Sequence, residues 1–157
     1  MEKRKSQDEF YQLPGFHFRV CFSPDDTESF DTRFQSVTGL DSTIETETVK
    51  EGGENRFEHV IPVRRKYGPL ILKRGVLLSS ESGVTKWLNL AFQDQIVIPI
   101  GIVDIQLLDE EHNPLLQWTV NNVWPRSWKI GELNAERGEV LIETLELNYN
   151  YISFVNR

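Results

Sequence analysis

The sequence predicts a mainly β protein, a small antiparallel β-barrel or sandwich with one flanking α-helix. Three observations point there. Apolar residues recur with a period of two along most of the chain. Clusters of Gly, Pro, Asn and Asp break that pattern into short segments, and only one segment has a helical period. The 157 residues suit a single domain, with residues 1–13 a polar N-terminal arm and residues 14–157 the folded unit.

Residues 15–22 (GFHFRVCF) put Phe16, Phe18, Val20 and Phe22 on one side and His17, Arg19 and Cys21 on the other, as a half-buried strand does. Ser23-Pro24-Asp25-Asp26 is turn chemistry, because Pro presets φ and Asp bonds its own backbone. Residues 30–40 return as a second strand that breaks near its end at Gly39. Residues 42–50 (STIETETVK) are rich in β-branched side chains, which favour extended chain. Neither side of that strand is fully apolar: Thr43, Glu45 and Glu47 fall on one, Ser42, Thr46 and Thr48 on the other. It reads either as a solvated edge strand or as a strand that joins a larger sheet.

Residues 51–55 (EGGEN) form a loop whose glycines tolerate positive φ. Residues 57–63 and 70–78 read as strands with Gly68-Pro69 turning between them, and Leu70 and Leu72 pack. Residues 82–92 (SGVTKWLNLAF) are the helix: Val84, Trp87, Leu88 and Ala91 share a face, and Ser82 is placed to cap it. Strands follow at 100–108, 116–123 and 140–149, the first two joined by a turn at 109–114, and residues 124–128 (WPRSW) read as a loop. Trp87, Trp118, Trp124 and Trp128 are assigned to core packing.

Composition excludes several function classes. The net charge is −7, so the chain lacks the dense positive surface that general nucleic-acid binding requires. Its basic clusters, Arg64-Arg65-Lys66 and Lys73-Arg74, are suited to acidic protein surface instead. One cysteine, Cys21, permits no intrachain disulfide, which favours a reducing compartment. The basic start is not followed by an apolar segment of the signal-peptide kind, and no apolar run is long enough for a membrane span.

No catalytic constellation emerges. His17, His59 and His112 lie in separate segments without metal-ligand spacing, and Glu110-Glu111-His112 is not the arrangement that puts two imidazoles on one helix face. His17 and Cys21 share a strand face but stand four residues apart, about 13 Å, too far for proton transfer. Asp109, Glu110 and Glu111 are explained by a solvated turn. The expectation is therefore no enzyme, no metal and no cofactor.

An ordered series of motifs then resembles one family. Residues 34–40 (FQSVTGL) match F-x-x-V-x-G-L, and Thr46-Glu47-Thr48 leads into Glu51-Gly52-Gly53-Glu54-Asn55, matching an acidic strand that ends in E-G-G-x-N. Residues 66–75 (KYGPLILKRG) match K-Y-G-x-L-x-L-K-R-G, and Trp87 sits on the helix where that family has a tryptophan. Residues 105–109 with Trp118, then Trp124-Pro125 and Trp128, match I-x-L-L-D…W…W-P-x-x-W, and residues 142–147 (IETLEL) resemble the closing strand. The series resembles the contractile phage tail-tube proteins and their relatives in extracellular contractile injection systems. Pro62-Val63 departs from the family's frequent Pro-Gly, and residues 1–13 and 151–157 have no counterpart.

The resemblance implies a barrel subunit of a hexameric ring. Rings stack into a hollow tube inside a sheath, and sheath contraction drives the tube through a target envelope. Implied partners are further copies of the chain, sheath, baseplate and tube-initiator proteins, with cargo in the lumen. Assembly is expected in the cytoplasm, in a phage tail or a phage-tail-like particle that is released. Glu51, Gly52, Gly53, Glu54 and Asn55, with Arg64, Arg65 and Lys66, are candidate stacking loops between rings. Lys73 and Arg74 are further candidate subunit contacts, and Thr43, Glu45 and Glu47 are candidate lumen residues. Two alternatives stand beside this reading: a minor tube-initiator or cap protein on the baseplate, and a stand-alone ligand-binding barrel.

Overall fold

The computed structural model describes residues 13–15, 17–23, 30–50, 52–53, 56 and 58–156. Ten strands and one helix follow in chain order: β1 (Phe18–Ser23), β2 (Phe30–Thr32), β3 (Ser36–Thr38), β4 (Ser42–Val49), β5 (His59–Tyr67), β6 (Leu70–Gly75), α1 (Gly83–Phe92), β7 (Ile100–Leu108), β8 (Pro114–Ile130), β9 (Ile142–Asn148) and β10 (Tyr151–Asn156). All pairings among them are antiparallel. The mainly β prediction with a single helix holds.

Eight strands form one hydrogen-bonded network that bends into two layers at β8. The first half of this 17-residue strand pairs with β7 and β10, and its second half pairs with β9. The strand changes layer where Asn122 has φ 53 and the register slips between Pro125 and Ser127, as strands do that turn the corner of a sandwich. One layer is therefore β2-β1-β7-β8-β10, and the other is β8-β9-β6-β3.

Alternation decides what lies between the layers. Val20 and Phe22 of β1, Val103 and Ile105 of β7 and Val120 of β8 meet Leu70 and Leu72 of β6 and Leu145 and Leu147 of β9, all buried. Helix α1 closes the core with Val84, Trp87 and Leu88. Ser82 caps it as expected, its Oγ accepting from the Thr85 amide at 3.3 Å.

Four elements differ from the sequence reading. The expected strand at 30–40 is two short strands in different layers: β2 pairs with β1 and β3 with β6, and buried Phe34 lies on the crossing between them. The expected loop at 124–128 is strand, because Trp128 and Pro125 pair with Leu145 and Leu147. The unassigned tail is β10, laid along β8. The expected strand at 57–63 is β5, which runs on to Tyr67, so Arg64, Arg65 and Lys66 are strand residues rather than a loop.

Candidate assembly surface

β4 and β5 form a two-stranded sheet of their own, paired with no other described strand. This hairpin is the outward continuation of β3 and β6. The last pair of that ladder is Thr38–Ile71, the first pair of the hairpin is Ser42–Tyr67, and three residues separate them on each side. The hairpin thus projects beyond the end of its layer.

Gly39 makes the corner. It has φ 92, and a Cβ there would lie 2.1 Å from the Pro69 carbonyl oxygen, so no other residue fits without moving the backbone. The ladder also turns over here: Val37 packs on the core, and so does Leu40, where plain alternation puts them on opposite sides. Beyond the corner Tyr67 packs against Tyr149 at 5.8 Å, and the Tyr149 hydroxyl donates to the Gly68 carbonyl at 2.7 Å.

The register then sorts the hairpin into two faces, since directly opposed residues share a side. One carries Thr43–Lys66, Glu45–Arg64 and Glu47–Ile61; the other carries Ser42–Tyr67, Ile44–Arg65, Thr46–Pro62 and Thr48–Val60, with Val63 the extra residue of a bulge. The first face is polar. Glu45 accepts from Arg64 and lies 3.5 Å from Lys66, and that bond to Arg64 holds its carboxyl below the usual carboxylate range. The second face sets Ile44, Pro62 and Val60 among Ser42, Thr46, Thr48 and one charge, Arg65, and its aliphatic side chains are open, with Ile44 61% and Val60 62% exposed. Ser42, Arg65 and Tyr67 of this face line one cavity with Leu40, Trp118, Ile152 and Phe154.

The expected contact residues separate accordingly. Thr43, Glu45, Glu47, Arg64, Arg65 and Lys66 are gathered on the hairpin, and Gly52 and Gly53 lie in the turn toward its tip, Gly53 with φ 107. Glu51, Glu54 and Asn55 fall outside the described residues, as do residues 1–12 of the expected N-terminal arm. Lys73 is exposed on β6. Arg74 is a correction: it is 1% exposed, so it makes no subunit contact. Its guanidinium pairs inside its own chain with Glu143, donates to Thr85 Oγ1 at 2.9 Å and lies 5.2 Å from the centre of the Phe34 ring. Glu143 also accepts from Trp128 Nε1 at 2.8 Å.

Several features escaped the sequence reading. Trp124, assigned to the core, is 37% exposed at the layer-changing corner. The His17 and His112 rings meet edge to face at 4.7 Å although they are far apart in sequence. Asp109 builds the expected turn, its carboxylate accepting from the Asn113 and Glu111 amides, and those bonds hold its pKa low, the Asn113 amide most. Exposed aliphatic side chains also collect in residues 76–78, 96–98 and 130–140, which the helical and strand periods alone do not distinguish from core.

A β-sandwich that holds its own core yet sends out a hairpin paired with no other described strand, with Ile44 and Val60 open on it, has the build of a subunit that assembles with other copies. The chain belongs to the family of the T4-like virus tail tube protein gp19, which it matches over residues 14–153. No curated protein matches it. Among solved structures it resembles a chain of the anti-feeding prophage baseplate, with 31% identity and a TM-score of 0.85, covering 93% of this chain and 97% of that one. It also resembles a chain of the anti-feeding prophage tube-terminating cap (23% identity, TM-score 0.79, 99% and 97% covered) and one of the PVC extracellular contractile injection system sheath–tube complex in the extended state (21%, 0.78, 94% and 94%).

Proposed function

We propose that this tube subunit forms hexameric rings that stack into the hollow inner tube of a contractile injection system or phage tail, propelled through a target envelope when a surrounding sheath contracts. The observation that carries this is the hairpin. A two-stranded hairpin alone in water is marginal; β4–β5 pairs with no other described strand and leaves Ile44 and Val60 open. Neighbouring copies supply the missing strands and the missing cover. The polar face, with Thr43, Glu45 and Glu47 beside Arg64 and Lys66, then faces the lumen, where water satisfies it. Sheath and baseplate proteins are the outer partners, and cargo occupies the lumen.

The test is the assembly state of the purified full-length protein. Negative-stain microscopy is expected to show rings and tubes; a strictly monomeric protein at high concentration overturns the reading. A tube initiator or cap is a second reading, favoured by the likeness to the cap chain. Stoichiometry in purified particles separates the two, because a tube subunit is present in many rings and an initiator or cap in one.

A further inference from the structure

Two of the three histidines that the sequence scatters come together in the layer that does not carry the hairpin. His17 precedes β1, His112 lies in the turn between β7 and β8, and their rings meet with centres 4.7 Å apart. The backbone fixes this meeting. The Leu108 amide donates to the His17 carbonyl at 2.8 Å, which ties the start of β1 to the end of β7. Within the turn the His112 amide donates to the Asp109 carbonyl at 3.2 Å, and the Asp109 amide to the Asn113 carbonyl at 2.9 Å. The Asp109 carboxylate accepts from the Glu111 and Asn113 amides at 2.9 and 2.8 Å. Those bonds hold His112 at φ 69, a backbone angle that a non-glycine residue keeps only where its surroundings impose it. Its side chain therefore leaves a rigid frame.

The chemistry of the pair suits a cation. His112 Nδ1 lies 3.3 Å from the Glu110 carbonyl oxygen, which can only accept, so Nδ1 carries the proton and Nε2 keeps its lone pair. Metal-ligating histidines are oriented in this way, one ring nitrogen bonded to a carbonyl and the other free for the metal. The spacing fits as well. Two imidazoles that each hold one ion at about 2.1 Å, at a right or tetrahedral angle, bring their ring centres to roughly 4.6–5.3 Å, and these rings stand 4.7 Å apart. Edge-to-face packing does not yet aim both nitrogens at one point. Turning the His17 ring about χ2, a broad torsion, rotates it nearly about its own centre and keeps that separation. His17 also lines a cavity with Asp109, Glu110 and Glu111. Asp109 is committed to the turn, which leaves the exposed Glu110 and Glu111 carboxylates to draw a cation in. No three metal-ligating side chains converge among the described residues, so water completes the coordination sphere.

We infer that His17 and His112 together bind one divalent transition-metal ion, of the Zn²⁺, Ni²⁺ or Cu²⁺ class, beside the turn between β7 and β8. Imidazole selects these ions over Mg²⁺ and Ca²⁺, which require oxygen ligands. With two protein ligands and water the site is an exchangeable one, open to solvent at His112. Bound metal adds a cross-link between the start of β1 and the β7–β8 turn, so it stabilises the folded chain by mass action. Both imidazoles belong to one chain, and the site exists whether or not rings form.

The experiment uses full-length protein without a polyhistidine tag, titrated calorimetrically with Ni²⁺ and with Zn²⁺. One ion per chain is expected, and no binding of Mg²⁺ under the same conditions. His17→Gln and His112→Gln each weaken binding at least about tenfold, a loss that follows even from removing an outer-shell partner of a ligand. His59→Gln leaves it unchanged. Thermal unfolding without metal verifies that the variants fold, and His112 is exposed, so its replacement spares the core. Saturating Zn²⁺ raises the unfolding temperature of the wild type by about 5 °C or more, and that of either variant by much less. With Cu²⁺, electron paramagnetic resonance shows two coordinating nitrogens in the wild type and one in either variant. An affinity that both variants retain places the metal elsewhere and overturns the inference, as does a wild type that binds none of these ions in the millimolar range.

Discussion

The sandwich and the hairpin are built from similar strands and treat their side chains in opposite ways. Inside the sandwich even charge is enclosed: Arg74 and Glu143 are 1% and 0% exposed, held by each other, Thr85 and Trp128. On the hairpin even the apolar side chains are open, with Ile44, Val60 and Val63 each more than half exposed. Polarity alone does not decide burial. What decides it is whether the chain itself provides the opposite wall, and for β4–β5 no described strand does. The sandwich is a finished interior, and the hairpin, on the proposed assembly, is half of an interface.

The sharpest way to break that comparison is to attack the enclosed charges. Arg74→Leu leaves the Glu143 carboxylate buried without its cation, which costs about 3–5 kcal/mol and lowers the denaturant midpoint accordingly. Arg74→Leu combined with Glu143→Leu is expected to recover most of that loss, since an apolar pair needs no ionic partner. The residue left is the Trp128 indole, which loses its acceptor. Urea unfolding of the two single variants and the double variant measures the cycle. If the double variant is no better than Arg74→Leu, the pair is not what holds this part of the sandwich.

Such a pair marks the limit of what the sequence allows one to read. Leu70 and Leu72 were legible as core because their alternation is local, and Ser82 because a cap acts within one turn of its helix. Arg74 looked like a surface contact because its partner, Glu143, is 69 residues away and only the β6–β9 register brings them together. The same holds for residues 124–128, whose pairing partners lie on β9, and for β10, whose partner is β8. For the candidate assembly surface, Thr43, Glu45 and Glu47 were legible as one side of a strand. That Arg64, Arg65 and Lys66 stand on the partner strand, two of them on that same side, was not, because it depends on the pairing of β4 with β5 and on the bulge at Val63.

A smaller effect is expected at the boundary between the two regions. Gly39→Ala puts a methyl group against the Pro69 carbonyl oxygen at a φ that L residues rarely adopt. Strain of this kind costs about 1–3 kcal/mol, and part of it is relieved by shifting the corner, which re-aims the hairpin. The expected outcome is therefore a modest loss of protomer stability together with a disproportionate loss of tube length. Equal stability with unchanged tubes is the result that removes Gly39 from the hinge between sandwich and hairpin.

The smallest effect concerns pH at that same corner. Burial pushes the Tyr149 phenol up to about 12, because the ionised form is poorly solvated where its ring packs near Tyr67. An unfolded phenol titrates near 10. A folded pKa above the unfolded one means that the neutral phenol stabilises the fold fully below pH ~10 and that this contribution is lost as pH rises toward about 12. Alkaline titration of thermal stability is thus expected to show a decline across that window. Tyr149→Phe removes this residue's share of the decline while lowering stability at neutral pH through the lost bond to the Gly68 carbonyl. Because that bond ties the layer to the start of the hairpin, the neutral-pH loss is the part that also weakens tube formation. If the variant keeps the wild-type alkaline slope, other phenols carry it and Tyr149 acts at the corner through packing alone.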